Sequence, residues 1–484
     1  MVMNEEKLIF EIGSPGRAGY SLPSCEGSPA PESVIPKGYL RAAAPALPEA
    51  SELDVVRHFT NLSRKNFGVD TNFYPLGSCT MKYNPKVCEE AAKIPGFLKA
   101  HPYQPEELSQ GLLQIFHETE QYLCEICGMD AFSLQPAAGA HGEFLGLLLI
   151  SAYFRDRREK RSKVIVPDSS HGTNPSSAHI AGFSVVTIKS NADGEVDLAE
   201  LEKALDDDTA ALMMTNPNTL GLFERKIVEI AEMVHKRGAL LYYDGANLNP
   251  LLGLARPGDM GFDVIHVNLH KTFATPHGGG GPGSGPVGVK KALEPFLPVP
   301  RIRKNDDSYR FDGKLPKSVG RVRSFYGNAG VILRAYAYIR ALGAEGLKKV
   351  ALYSILNANY IKEQLKNDYH LPYDRTCMHE FVFSSAKQLD REVHAVDVAK
   401  ALIDMGIHPP TIYFPLIVPE AIMIEPTETE SKETLDRFIA AMREIAAKAK
   451  SDPASLKAAP VTTPVTRLDE VKAAREPNLC YKPC

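Results

Sequence analysis

From about residue 106 onward, apolar positions switch repeatedly between a helical and an extended period. Helical spacing covers 106–128, and the extended Phe132-Ser-Leu-Gln-Pro leads through Ala137-Ala-Gly-Ala into a helix over 143–155. Short apolar runs then alternate with amphipathic segments. The runs at 163–167, 184–188, 210–215, 239–243 and 264–267 predict strands; 198–205 and 228–237 predict helices. This alternation predicts a mostly parallel, doubly wound α/β sheet, in which ligands bind beyond the carboxyl ends of the strands.

The flanks read differently. Up to about residue 64 the chain is rich in Pro, Gly, Ser and Ala, as in an extended arm, and 65–105 holds many turn residues. After residue 324, helical spacing over 329–342 and 343–365, a strand-like 378–383, and helices near 396–405 and 434–450 predict a smaller α/β domain. The last 34 residues carry five prolines and little pattern. The division expected is an arm and extended segment at 1–105, a large domain at 106–325, a small domain at 326–450 and a tail at 451–484.

Composition narrows the function. At 484 residues the chain exceeds one ordinary core. Its 44% hydrophobic and 24% charged residues and net charge of −4 show no basic bias toward nucleic acid. No apolar run approaches the roughly 18 residues of a membrane span, and the start lacks a signal or transit pattern, so a cytoplasmic protein is expected. Eight cysteines make no disulfide framework. Cys124 and Cys127 form a CxxC without a second pair, on a segment with helical spacing, and read as buried core thiols.

Lys271 is the candidate centre. It follows a buried strand and His270, with Gly278–Gly281 close behind. A lysine there can condense with an aldehyde cofactor, although a solvated loop lysine fits the same position. Asp244 ends the preceding strand. Pyridoxal phosphate needs such an acid at its ring nitrogen to act as an electron sink, while an aspartate there can also merely cap a helix. Ala138-Gly139-Ala140 opens a helix whose free N–H groups suit a phosphate. His171 follows another strand end and could stack on a flat ring, or simply be hydrogen-bonded. Gly283-Ser-Gly-Pro-Val-Gly288 fits a dinucleotide string without the strand–turn–helix context, and Lys271-Thr272 lacks the glycine of a Walker motif.

Longer strings carry a resemblance. Phe73-Tyr-Pro-Leu-Gly-Ser-Cys-Thr-Met-Lys-Tyr-Asn-Pro-Lys86, Ser133-Leu-Gln-Pro136, Gly139-Ala-His-Gly-Glu143, Ser170-His-Gly-Thr-Asn-Pro175, Leu269-His-Lys-Thr-Phe273 and Glu425-Pro-Thr-Glu-Thr-Glu-Ser431 resemble the glycine decarboxylase P-proteins of the glycine cleavage system. The resemblance implies a fold type I pyridoxal 5'-phosphate enzyme. It implies that Lys271 forms the Schiff base, Asp244 meets the pyridine nitrogen and His171 stacks on the ring. Ala138, Gly139 and Ala140, with Thr173, would cradle the phosphate; Ala246 would lie beneath the ring, Asn216 near its hydroxyl, and His270 among the cofactor contacts. Single-chain members run about twice this length, and this chain matches only their lysine-bearing half. It therefore resembles the second subunit of a two-subunit form, with a cofactor-free subunit 1 completing an α2β2 heterotetramer. The implied reaction decarboxylates glycine and passes the aminomethyl group to the lipoyl group of the H-protein carrier.

Arg321 and Arg323 are candidates for holding the substrate carboxylate. Lys82, Tyr83, His101 and Tyr103 read as surface packing rather than an entrance, and the basic run 155–163 as a solvated helix face rather than a docking patch. Two rivals stay open: another pyridoxal enzyme, such as a decarboxylase or desulfurase, and a non-catalytic scaffold subunit.

Overall fold

The computed structural model describes residues 6–480 except 22, 24, 25, 44, 279–282, 390 and 391. Two compact units result: residues up to Gly68 together with those from Pro460, and Val69–Ala459. In the first unit, Ser51 caps the helix Glu52–Ser63, accepting from the Asp54 N–H while the Asp54 carboxylate returns to the Ser51 N–H. That helix leaves Leu53, Val56 and Phe59 exposed.

The second unit is built on a seven-stranded sheet. Its elements run α1 (Gln110–Cys127), β1 (Ala131–Ser133), α2 (Gly139–Asp156), β2 (Lys163–Pro167), α3 (Thr173–Ile180), β3 (Ser184–Ile188), α4 (Leu198–Ala204), β4 (Thr209–Met214), α5 (Ile227–Lys236), β5 (Leu240–Gly245), β6 (Val264–Val267), α6 (Leu269–Thr272) and β7 (Val287–Val289). The strand order is β1-β7-β6-β5-β4-β2-β3. β3, β2, β4, β5 and β6 pair in parallel, and β7 runs antiparallel to both its neighbours. The expected mostly parallel sheet is therefore present.

Period-two alternation sorts the strand residues into two cores. Ile165, Leu212, Met214, Leu241, Tyr243 and Ile265 face one core with α1 and α5. Val164, Val166, Ala211, Met213, Tyr242 and Val264 face the other with α2. Both faces being covered explains why β4 and β5 are buried at every position. α5 buries Ile227, Ile230, Ala231 and Val234, one helical face. Gly128, at φ 68°, closes α1 in the left-handed conformation that glycine adopts without strain.

After the hairpin β8 (Arg301–Asn305) and β9 (Ser308–Asp312), α7 (Ala329–Leu365) leaves the sheet, broken at Gly343 (φ 60°, ψ −174°). A smaller antiparallel sheet follows: β10 (Phe381–Ser384), β11 (Thr411–Ile412) and β12 (Ala421–Ile424), in the order β10-β12-β11. With α8 (Ala395–Asp404) and α9 (Lys432–Ser451) it encloses a separate core that includes Ile361, Phe381, Phe383, Ile424 and Phe438. Phe73 joins this core, edge-on to Phe438 at 5.2 Å. The segment 73–80 thus runs as a strap along β12, with Leu76 bridged to Ile424. Cys124 and Cys127 are free thiols on α1, Cys127 fully buried. Among the described residues, no helix is long and apolar enough to cross a membrane.

Candidate active site

The carboxyl ends of β2, β4, β5 and β6 and the start of α2 converge on a cavity of ≈ 140 Å³. Its lining includes Gly139, Ala140, His171, Thr173, Asp244, Ala246 and Lys271. Seven of the ten residues expected from the sequence thus share one cavity. Ala138 adjoins it as the cap of α2. His270 lies behind, accepting the Ser284 N–H on Nδ1 (3.2 Å) and meeting the His277 ring edge-on at 5.2 Å. Asn216 is fully buried outside the lining, its Oδ1 accepting the Glu224 N–H (2.9 Å). Larger cavities exist, one of ≈ 690 Å³ beside Gly343. Chemistry rather than size selects the smaller one: it alone among these joins a lysine, a buried carboxylate and a helix start.

Asp244 closes β5 because a parallel strand delivers its last side chain to the sheet edge. It is 3% exposed. Oδ2 accepts from Asn174 Nδ2 (2.8 Å) and Oδ1 from the Ala246 N–H (3.1 Å). His266 Nε2 stands 3.2 Å from Oδ1, while its Nδ1 shares a 3.0 Å hydrogen bond with Tyr242. Burial pushes the carboxyl up, but His266, Asn174 and the Ala246 N–H together hold it below the usual range. The result is a buried anion with fixed orientation.

The start of α2 is held open by close backbone approach. A Cβ at Gly285 would meet the Ala138 carbonyl at 2.1 Å, and one at Gly142 the Gly285 carbonyl at 2.7 Å. The Ala137 N–H, just before the helix, is taken by His141 Nδ1 (3.2 Å). Thr173 joins this end through Glu143: its hydroxyl donates to Oε1 (2.7 Å), and the Ser177 hydroxyl donates to Oε2 (2.9 Å). His171 shares a 2.8 Å hydrogen bond with Thr173 Oγ1 and packs edge-on against Phe414. Lys271, on α6, donates to the Ser78 carbonyl (2.7 Å) and Asn247 Oδ1 (3.2 Å).

Pyridoxal phosphate fits this donor set. An amine, a buried anion and a helix start with Thr173 beside it face one space, and the buried Asn268 Oδ1 lies beside them without a hydrogen-bond partner. Ser78, Glu143, Thr215, Thr219, Asn247, His266 and Asn268 also line the cavity and were not anticipated. His266 had a readable signal: a lone histidine in the otherwise apolar β6. Ser78 stood within the Phe73–Lys86 string but showed no chemistry of its own there, since the strap reaches the site only through tertiary folding.

Other expectations fall elsewhere. Arg323 donates to Asn328 Oδ1 (3.1 Å) and Arg321 lies over the Tyr103 ring; neither lines the cavity. Lys82 is not at the surface: it is 2% exposed and bonded to Glu428 (2.6 Å), the Thr272 carbonyl (2.7 Å) and the Tyr338 hydroxyl (3.2 Å). In the basic run, Arg161 caps the Thr209 and Arg237 carbonyls and Lys163 pairs with Asp206, leaving a mixed structural and solvated face. The Gly283–Gly288 string leads into a strand, β7, not a helix.

Comparison with known proteins gives concordant matches. The family described as "Glycine cleavage system P-protein" matches residues 25–307, and "Glycine dehydrogenase, C-terminal domain" matches 350–460. The "Probable glycine dehydrogenase (decarboxylating) subunit 2" of Caldanaerobacter subterraneus subsp. tengcongensis is 60% identical over 479 residues, 99% of each chain. Its counterpart in Desulforamulus reducens is 58% identical over 481 residues, again 99% of each. Among solved structures, a glycine decarboxylase (P-protein) in inhibitor-bound form aligns with a TM-score of 0.73 at 24% identity, covering 85% of this chain and 94% of that one. A cysteine desulfurase from Thermococcus onnurineus aligns with a TM-score of 0.61 at 17% identity, covering 78% and 95%. At those identities the two structures speak to fold alone, which is that of fold type I enzymes.

Proposed function

The chain belongs to the glycine cleavage system P-protein family, as a glycine dehydrogenase (decarboxylating) subunit 2, and from that premise we propose how its site decarboxylates glycine. A subunit 2 implies a subunit 1 as partner; we read the assembly as an α2β2 heterotetramer. Pyridoxal 5'-phosphate bound in the cavity would supply the electron sink for the pair left behind when the glycine carboxylate departs as carbon dioxide.

Lys271 Nζ is the amine that holds the cofactor carbonyl, and its seat on Ser78 and Asn247 keeps it directed into the cavity. Asp244, buried and anionic, keeps a proton on the ring nitrogen. Asn174 and the Ala246 N–H fix the direction of that carboxylate, and His266 backs its charge. Ala138, Gly139, Ala140 and Thr173 hold the phosphate at the α2 start, where unpaired N–H groups favour an anion. His171 and Ala246, both in the lining, would stand beside the cofactor, whereas Asn216 and His270 lie outside the lining. Lys271 is the lone Lys or Arg among the described residues lining the cavity. A second cationic group for the substrate carboxylate is not among the described lining residues. On this reading the aminomethyl group would pass to the lipoyl disulfide of the H-protein, a C–S bond forming to one sulfur as the S–S bond breaks and the other sulfur leaving as a thiol.

The observation that carries this reading is the convergence of Lys271, Asp244 and the open α2 start on one cavity. Exchange of labelled bicarbonate into the glycine carboxylate tests it, with subunit 1, pyridoxal phosphate and lipoylated carrier present. The reading expects exchange that depends on both added proteins and vanishes in Lys271→Ala. Exchange surviving that substitution would remove it.

A further inference from the structure

Glu425 reaches both partners of the Lys271 amine, the turn that carries Ser78 and the Asn247 side chain. Glu425 directly follows β12 and is fully buried. Its Oε2 accepts the N–H groups of Cys79 (3.0 Å) and Thr80 (2.8 Å). Its Oε1 accepts from Thr80 Oγ1 (2.6 Å) and Asn249 Nδ2 (3.3 Å), and Asn247 Nδ2 lies 3.4 and 3.5 Å from the two oxygens. Donors thus surround both oxygens, and this one side chain accepts from the turn and from both asparagines. Within the strap so held, Ser78 and Thr80 adopt φ of 58° and 49°, a left-handed conformation uncommon for residues with a side chain. Such backbone persists only where its surroundings impose it.

On the strap side, the titratable groups nearest Lys271 are shifted toward their neutral forms. Burial, followed by the charge of Glu425, pushes Glu380 well above the usual carboxylate range, although it accepts the Ser78 N–H at 2.7 Å. Burial raises Cys79 to about 11. Burial lowers His270 to about 3, His277 to about 4, and His379 in the same direction. The two carboxylates that line the cavity have partners of their own: Asp244 accepts from Asn174 and the Ala246 N–H, and Glu143 from the Thr173 and Ser177 hydroxyls. His379, Glu380 and Glu425 lie close enough to share a cation, but the donors on Glu425 leave it no lone pair to offer one.

We propose that Glu425 is the positioning residue and fixed counter-charge of Lys271, acting through the Ser78–Thr80 turn and through Asn247. It rests on the reading of Lys271 as the cofactor lysine. The cradle gives the amine a defined seat whenever glycine displaces it, and returns it to the same place afterwards.

The test uses the cofactor-free, full-length chain. Competitive acetylation of Lys271 by acetic anhydride is followed across pH by peptide mass spectrometry. Glu425→Gln removes the anion with little change of shape. Its Lys271 reactivity profile is expected to move about one unit toward lower pH, reacting about tenfold faster on the rising limb. Asn247→Ala, which cuts the bridge alone, is expected to move it the same way by a smaller amount. Glu380→Gln is expected to leave the profile in place, since that group already carries a proton. Superimposable profiles for wild type and Asn247→Ala, or a Glu380→Gln shift as large as that of Glu425→Gln, would overturn the proposal. So would a change that scales the rate equally at every pH, which reports exposure rather than charge. Should Glu425→Gln fail to fold, the other two variants still decide. Because no cofactor takes part, failure here leaves the cofactor assignment standing, and failure of cofactor binding leaves this result readable.

Discussion

The cavity has two walls of different origin. One is carried by the large sheet: Asp244, Ala246, Lys271 and the α2 start sit at strand ends, a few residues from the elements that place them. The other is carried by the strap at 77–80 and by Glu380 and Glu425 from the small sheet; Glu425 reaches Cys79 across 346 positions of chain. The sheet wall holds the chemistry in rigid parallel strands. The strap wall holds nothing by itself, and owes its strained turn to two buried carboxylates. A site can thus be placed by local topology on one side and by long-range hydrogen bonds on the other.

The largest test of the contrast is at the sheet wall. Asp244→Asn keeps the shape but removes the anion, and glycine-dependent exchange should fall about 10²–10³-fold while the fold persists. A fall under tenfold would deny that wall its leading role. At the strap wall, burial holds the Cys79 thiol at about 11 against its ordinary 9. Its alkylation by iodoacetamide at pH 8 should run about 100-fold slower than that of a free thiol. Rapid alkylation would mean that the strap opens readily.

Gly285→Ala returns to the sheet wall. Its Cβ would fall 2.1 Å from the Ala138 carbonyl, and backbone cannot yield as a side chain does. A loss of about 2 kcal/mol in a urea unfolding experiment is expected, with weaker phosphate retention. The last test concerns His277, lowered by burial to about 4 from 6.5. Below pH 6.5 the unfolded chain takes up a proton that the folded chain refuses. Stability present above 6.5 is therefore lost as pH falls toward 4, by roughly 1.4 kcal/mol per unit at most. His277→Gln should flatten the dependence of Tm on pH in that window; an unchanged slope would show that His277 titrates freely.

Legibility in the sequence follows the same division. The run 163–167 coincides with β2, and the run expected at 210–215 lies one residue from β4 (Thr209–Met214). Strands buried on both faces read as unbroken apolar runs, so their ends, and the chemistry there, could be located. The strap showed no period because its conformation comes from Glu380 and Glu425, not from a repeated face. Lys82 read as surface for the same reason: its partner Glu428 lies 346 positions away. His266 was readable in principle but is masked by β6, whose burial pattern is that of its apolar neighbours.

The central claim is that Lys271 is the residue joined to the cofactor. The full-length protein, loaded with pyridoxal phosphate and reduced with borohydride, should carry a single pyridoxyl group on the peptide containing Lys271, and Lys271→Ala should carry none. A reduced adduct on another lysine, or no adduct in the loaded wild type with subunit 1 present, would contradict it.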